Sequence, residues 1–337
     1  MRRVCFAMFM LMTSLVPVQA RAVPTSCGAV DLLVQLRKDA PDAYQRVAAA
    51  AKAVPNGEGM LWKIEKAGLA PSYLFGTMHS TDPRTDRQVL RVRSLVQTSR
   101  SVAVEISELV TPGLKEKASL EIARAGLARS GDALEGIWPP DNRAAVEAVL
   151  KTRGLTSDTA RRFETWFLIV ALSSPMCERE RRALGLISVD EKIGQTAKNS
   201  GKAPVGLEKL EDQIAVLRRI GGFNPSIALI QVAKGQREVA NMRETMTQAY
   251  VGDRLGELAA LARLPEVLAG GPATIGHDSF SRALLDDRNV VMHERAQPLF
   301  EKGGAFVAVG ALHLPGERGL VALLRQAGYR VSVIKAR

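Results

Sequence analysis

The chain has 337 residues, of which 46% are hydrophobic and 24% are charged, an ordinary composition for a globular protein with a large core. The formal net charge is +11, so the surface could attract anionic material of the cell envelope. The basic residues are dispersed and are not interleaved with aromatic residues, which argues against a nucleic acid as partner.

The N terminus is typical of a cleaved signal peptide. Arg2 and Arg3 precede an apolar stretch at residues 4–16 that is too short to span a membrane, and Ala20 offers a cleavage position. No later stretch is long and apolar enough to form a transmembrane helix. We therefore expect residues 1–20 to be removed and residues 21–337 to form a single α/β domain, periplasmic or secreted.

Two cysteines remain in the mature chain. Cys5 leaves with the signal peptide, and Cys27 and Cys177 are left. In an oxidising compartment this pair suggests one disulfide between the N-terminal segment and the middle of the chain. Two unrelated buried thiols are the alternative, which the sequence leaves open.

In chain order, a helical segment at residues 30–53 precedes a β-hairpin with strands at residues 61–64 and 72–75. Residues 81–83 (Thr-Asp-Pro) can cap the following helix. A third strand is expected at residues 102–106.

Strand–helix alternation then stops. Amphipathic helices are predicted through most of residues 110–265, with short strands at residues 186–189 and 204–207. The chain closes with alternating helices and strands, expected at residues 282–301, 306–309, 318–327 and 329–334. This order predicts an α/β fold with a central mixed β-sheet formed from the N- and C-terminal parts of the chain and a large helical insertion in the middle.

One short motif occurs near both ends: an apolar strand, a glycine, two residues and a histidine. Gly76 to His79 ends the first copy and Gly310 to His313 ends the second. Glu105 ends a third apolar strand, and ligands of α/β sheets lie at such carboxyl ends. Two histidines and a glutamate are typical ligands of a divalent metal. The alternatives are histidines that cap strands by hydrogen bonding and a glutamate paired with an arginine.

For several further polar residues, the sequence evidence for a functional role is weaker. Arg288 and Asn289 lie together on a predicted helix, while Asp190 and Glu208 follow predicted short strands, where they could orient a ligand. The sequence contains no His-Glu-x-x-His, no phosphate-binding loop, no Gly-x-Gly-x-x-Gly and no Gly-x-Ser-x-Gly.

Taken together, these motifs resemble the TraB/GumN family, whose relatives include the PrgY pheromone-shutdown proteins and the TIKI metalloproteases. The resemblance covers nearly all of the mature chain and is carried by residues 61–64, 73–79, 104–105, 206–208, 213, 288–289, 309–316 and 319. It implies a fold similar to that of the erythromycin esterases and the ChaN-like haem-binding proteins.

The resemblance also implies a function. TIKI-like relatives are metal-dependent, which implies a metalloprotease-like hydrolase in which His79, Glu105 and His313 hold Mn²⁺, Co²⁺ or Zn²⁺. Arg288 would complete the catalytic set by stabilising developing charge, and the substrate would be a peptide or a small molecule. One scaffold can host several chemistries. A metal-independent esterase and a non-catalytic protein that binds haem, metal or a sugar are therefore the alternatives.

Overall fold

The computed structural model describes residues 27–111, 113–128, 134–135, 137, 139–220, 222, 224–263 and 282–336. The signal peptide expected at residues 1–20 lies outside these residues and stays a prediction. Within the described residues, no helix has both the length and the apolar character needed to cross a bilayer.

Six described strands form one mixed sheet. They are β1 (Leu61–Glu65), β2 (Ser72–Thr77), β3 (Ser101–Val104), β4 (Val205–Gly206), β5 (Ala305–Gly310) and β6 (Arg330–Val333). Their order in the sheet is β4-β3-β5-β2-β1-β6. β1 pairs antiparallel with β2 and β6, whereas β2, β5, β3 and β4 pair in parallel. The apolar run of β5 is buried from its first residue almost to its last, as expected of a central parallel strand covered on both faces.

The described helices lie before, between and after these strands. They are α1 (Leu32–Asp39), α2 (Pro41–Ala53), α3 (Asp86–Thr98), α4 (Ser107–Val110), α5 (Lys115–Ala125), α6 (Pro140–Thr152), α7 (Ser157–Ala160), α8 (Thr165–Leu172), α9 (Met176–Ala183), α10 (Val189–Asn199), α11 (Leu210–Leu217), α12 (Pro225–Lys234), α13 (Gln236–Val251), α14 (Leu255–Arg263), α15 (Asp287–Glu301) and α16 (Leu320–Gln326). A π-helical turn, Arg282–Asp286, leads directly into α15.

The predicted fold class is confirmed. The sheet takes five of its six strands from the two ends of the chain, and helices fill most of the described chain between β3 and β5. The middle of the chain contributes the edge strand β4, which was predicted at residues 204–207.

Two local predictions differ from the structure, the first only in that the predicted helical segment is divided in two. Residues 30–53 form two helices because Pro41, which lacks an N–H donor, begins a new helix at its first position. Residues 186–189 do not form a strand because Ser188 caps α10. The Ser188 hydroxyl accepts from the Glu191 N–H, and the Glu191 carboxylate accepts from the Ser188 N–H.

The core has separate parts. The largest cluster surrounds the sheet and includes Phe75, Val104 and Phe306. A second cluster holds α6, α8 and α12 together through residues such as Leu150 and Leu168. Much of the inserted helical region therefore packs around its own hydrophobic cluster, separate from the cluster around the sheet. The carboxyl ends of the parallel strands remain available to form a site.

Cys27 and Cys177 form a disulfide, with their Cα atoms 5.4 Å apart. The bond joins the N-terminal segment to α9, as the sequence predicted. It is consistent with a location outside the reducing cytosol.

Candidate functional site

Three neighbouring parallel strands bring the predicted site residues to one edge of the sheet. Thr77 of β2 lies beside Gly310 of β5, and Val104 of β3 lies beside Ala308. His79, Glu105 and His313 come directly after these three strands, so all three enter the same region. The structure thus brings the three residues that the sequence analysis proposed as metal ligands to the same edge of the sheet.

The two motif glycines allow this close approach. A Cβ atom on Gly76 would lie 3.0 Å from the Ala311 Cα, and one on Gly310 would lie 2.9 Å from a Glu105 carboxylate oxygen. Any larger residue would push the second motif or the carboxylate away. The glycines are therefore required by packing between the motif copies and around Glu105.

Glu105 is held in a buried network of charges. The Gly310 N–H donates to its Oε1, and Arg288 Nη2 donates to its Oε2 at 3.1 Å. Arg288 also donates to both carboxylate oxygens of Glu208, at 2.8 and 2.5 Å. The arginine pairing that the sequence left as an alternative for Glu105 is therefore present, in the same pocket as both histidines.

The pKa of Glu105 reflects this network. Burial alone would raise it, but the nearby His313, His79 and Arg288 together with the Gly310 N–H hold the pKa at about 2. Arg288 is charged at every accessible pH. The Glu105 carboxylate is therefore ionised at neutral pH.

His313 is buried and has a defined tautomer. The Asn289 side-chain nitrogen donates to the Arg318 carbonyl at 2.9 Å, so the Asn289 oxygen must accept from His313 Nδ1, 2.7 Å away. The free Nε2 lies 3.7 Å from Glu105 Oε1. Burial lowers the pKa of His313 to about 4 against the opposing charge of Glu105. The ring is therefore neutral at pH 7 and presents a lone pair to the site.

His79 has the opposite environment. Its side chain is 64% exposed, and its Nδ1 lies 2.8 Å from Asp190 Oδ2. The second Asp190 oxygen accepts from the Thr77 hydroxyl at 2.5 Å, which fixes the carboxylate against β2. The Asp190 charge raises the pKa of His79 above its ordinary value, and solvent screening moderates the effect because the ring is exposed. Asp190 lies in the first turn of α10 and not at a strand end as predicted.

Other residues that position the site were not expected from the sequence. The Tyr250 hydroxyl, on α13, donates to the Gly76 carbonyl at 2.9 Å. Glu178, on α9, accepts from the Ser80 hydroxyl at 2.6 Å and from the Thr81 N–H at 2.9 Å. These contacts fix the backbone on both sides of His79. No local sequence signal marks them because they depend on helices distant in the chain.

Two cavities meet at the site, with volumes of about 300 and 400 Å³. His79, Glu105 and Gln213 line both of them. The smaller cavity has three charged residues in its wall besides those of the site, namely Lys115, Arg182 and Glu191. The larger cavity also contains Arg288, His313 and Arg243, and most of its remaining wall is apolar. A ligand at the junction can therefore extend to either side.

A protein-family comparison matches residues 60–333 to the TraB/PrgY/gumN family. The matched stretch includes all six strands and every site residue described above. Comparisons with curated proteins and with solved structures give no match. Because the match covers most of the sequence, the chain belongs to the TraB/PrgY/gumN family.

Proposed function

We propose that this protein is a hydrolase of peptide or amide bonds in which His79, Glu105 and His313 hold a divalent cation such as Mn²⁺, Co²⁺ or Zn²⁺. One observation carries the proposal. Both imidazoles are held through Nδ1 by an oxygen of another side chain, Asp190 for His79 and Asn289 for His313. Histidines that ligate metals are usually oriented in this way, and the His313 Nε2 lies 3.7 Å from Glu105 Oε1.

The candidate ligand atoms are suited to binding a cation. The His313 Nε2 lone pair and the ionised Glu105 oxygen lie 3.7 Å apart in a buried position, and two electron-rich atoms in such a place are stabilised by a positive ion between them. In the part of the chain that the structure describes, no three His, Cys, Asp or Glu side chains form a ready-made metal cluster. The exposed ring of His79 would therefore move toward the other two on binding.

The residues of the chain have separate roles in this proposal. A bound divalent cation would lower the pKa of a water molecule and polarise the scissile carbonyl. Arg288 helps to keep Glu105 ionised. It also lines the larger cavity, where its charge would stabilise negative charge on the carbonyl oxygen. Asp190 orients His79.

A second candidate is a metal-independent hydrolase. It is favoured by the His79–Asp190 pair, because a carboxylate-oriented imidazole with a free Nε2 is suited to general base catalysis. It is also favoured by Arg288, which already neutralises Glu105 without a metal. In this mechanism His79 takes a proton from water. Because Asp190 raises the pKa of His79, the base becomes available as the pH rises, and activity would be highest at alkaline pH.

The proposed location is the periplasm or the extracellular space. The apolar segment at residues 4–16 with its two preceding arginines supports export. The Cys27–Cys177 disulfide supports an oxidising compartment.

Elemental analysis of the purified mature protein, incubated with Mn²⁺, Co²⁺ or Zn²⁺, tests the proposal. Roughly one equivalent of metal is expected in the wild type, and it should be lost in His79→Ala, Glu105→Ala and His313→Ala. His293→Ala is the matched control, because His293 lies on α15 and contacts Gln297 instead of lining either cavity. Absence of bound metal in the wild type would refute the metal site.

Hydrolysis assays with peptide, amide and ester substrates then separate the remaining candidates. Activity that a chelator abolishes supports the metal-dependent hydrolase, whereas activity that resists a chelator supports the metal-independent one. Metal or haem binding without any hydrolysis would favour the non-catalytic binding protein.

A further inference from the structure

The larger cavity contains an arginine that the proposed reaction does not use. Arg243 lies on α13 and lines this cavity of about 400 Å³ together with His79 and His313. Its positive charge acts to lower the pKa of both His79 and Glu178. Among the residues that the structure describes, its guanidinium donates no hydrogen bond and forms no ion pair. Its N–H donors are therefore available to a ligand.

The nearby carboxylates already have partners. Glu178 accepts from Ser80, Thr81 and the Arg181 guanidinium, and Arg288 is shared between Glu105 and Glu208. Of the three carboxylates of Glu178, Glu105 and Glu208, none accepts a hydrogen bond from the Arg243 guanidinium. Arg243 therefore brings to the cavity a guanidinium that none of these carboxylates binds directly.

The rest of the cavity wall determines what kind of anion could bind. Most of it is apolar, with Val216, Leu217, Met246, Leu258, Leu284, Leu285 and Leu312. A guanidinium binds planar anions with paired hydrogen bonds, and an apolar wall favours a ligand that carries an apolar group beside its charge. The carboxylate of an apolar C-terminal residue has both features, a planar pair of oxygens and an adjacent apolar side chain.

We propose that Arg243 binds a carboxylate of the substrate while the apolar wall receives the neighbouring apolar group. This inference rests on the proposed hydrolase function and specifies its substrate class. The substrate is a peptide or N-acyl amino acid with an apolar C-terminal residue. Its carboxylate lies on Arg243 and its scissile carbonyl lies at the junction beside His79 and Glu105. Arg243 is thus a specificity-determining residue.

Binding of N-acetyl-leucine and N-acetyl-leucinamide, followed by NMR titration, tests the inference without any turnover. The two probes share the apolar group and differ in the carboxylate. The wild type should bind the acid at least about tenfold more tightly than the amide. Arg243→Gln should remove this preference, and Arg243→Lys should keep part of it because it retains the charge but not the planar donor pair.

Arg237→Gln is the matched control, because Arg237 is an exposed residue on the same helix. It should bind both probes as the wild type does. Equal binding of the acid and the amide by the wild type, or a preference that persists in Arg243→Gln, would overturn the inference. Competition by inorganic phosphate as strong as that of the acid would overturn the assignment to a carboxylate. Failure to hydrolyse any substrate would instead refute the proposed function and leave this binding result intact.

Discussion

Replacement of Arg288 by glutamine should destabilise the protein strongly at neutral pH. Arg288 donates to Glu208 at 2.8 and 2.5 Å and to Glu105 at 3.1 Å. The side chains of Arg288, Glu105 and Glu208 are only 11%, 8% and 4% exposed. Removal of one partner from a buried ion pair costs about 3–5 kcal/mol. We expect Arg288→Gln to lose this much of the free energy of unfolding, because two buried carboxylates would face each other without the guanidinium that binds both.

The loss should depend on pH. In the wild type the pKa of Glu105 is lowered from 4.5 to about 2, so its contribution to stability is fully present above pH 4.5 and is lost as the pH falls toward 2. Without Arg288 the pKa of Glu105 rises, and the carboxylate takes up a proton at higher pH. The difference in stability between wild type and variant should therefore shrink as the pH is lowered from neutral toward about 4.5.

Urea unfolding followed by circular dichroism at neutral and acidic pH measures both effects. Arg318→Gln is the control, because the Arg318 side chain is 51% exposed and its ion pairs are long, at 3.9 and 3.7 Å; it should lose less than about 1 kcal/mol. Arg288→Lys should lose less than Arg288→Gln, since it keeps the charge. A neutral-pH loss below about 1 kcal/mol in Arg288→Gln, or a loss that does not change with pH, would refute this reasoning.

Two further predictions concern His79 and the disulfide. Asp190→Asn removes the charge that raises the pKa of His79, so an NMR titration of the ring should show this pKa fall toward 6.5; an unchanged midpoint would contradict the assigned contact. The Cys27→Ser/Cys177→Ser variant opens a cross-link between residues 150 apart and should lose about 2–4 kcal/mol. Reductant should lower the melting temperature of the wild type alone, and an equal fall in both proteins would contradict the prediction.

The residues at the strand ends were predictable because they follow strong local signals. An apolar run followed by glycine identifies β2 and β5, and the parallel pairing of β2, β5 and β3 then places His79, His313 and Glu105 on one edge. The same kind of signal failed before Asp190. Residues 186–189 are mostly apolar, but reciprocal hydrogen bonds between Ser188 and Glu191 stabilise a helix start instead.

The partners of the site residues could not be read from the sequence. Asp190 contacts His79 across 111 residues, and Arg288 contacts Glu105 across 183. Such contacts depend on how the helices pack onto the sheet, and no local sequence pattern predicts this packing. The position of Arg243 in the cavity wall has the same origin, because it depends on how α13 packs near the sheet.

The two copies of the motif produce histidines with different chemistry. His313 is buried, its Nδ1 donates to the neutral amide of Asn289, and burial lowers its pKa to about 4. His79 is exposed, contacts the Asp190 carboxylate, and has a raised pKa. At neutral pH, His313 is therefore a permanent lone-pair donor, whereas His79 is the ring whose proton can be gained or lost. The two histidines occupy equivalent positions in their sequence motifs. Their chemical properties differ because their partners, on α10 and α15, differ.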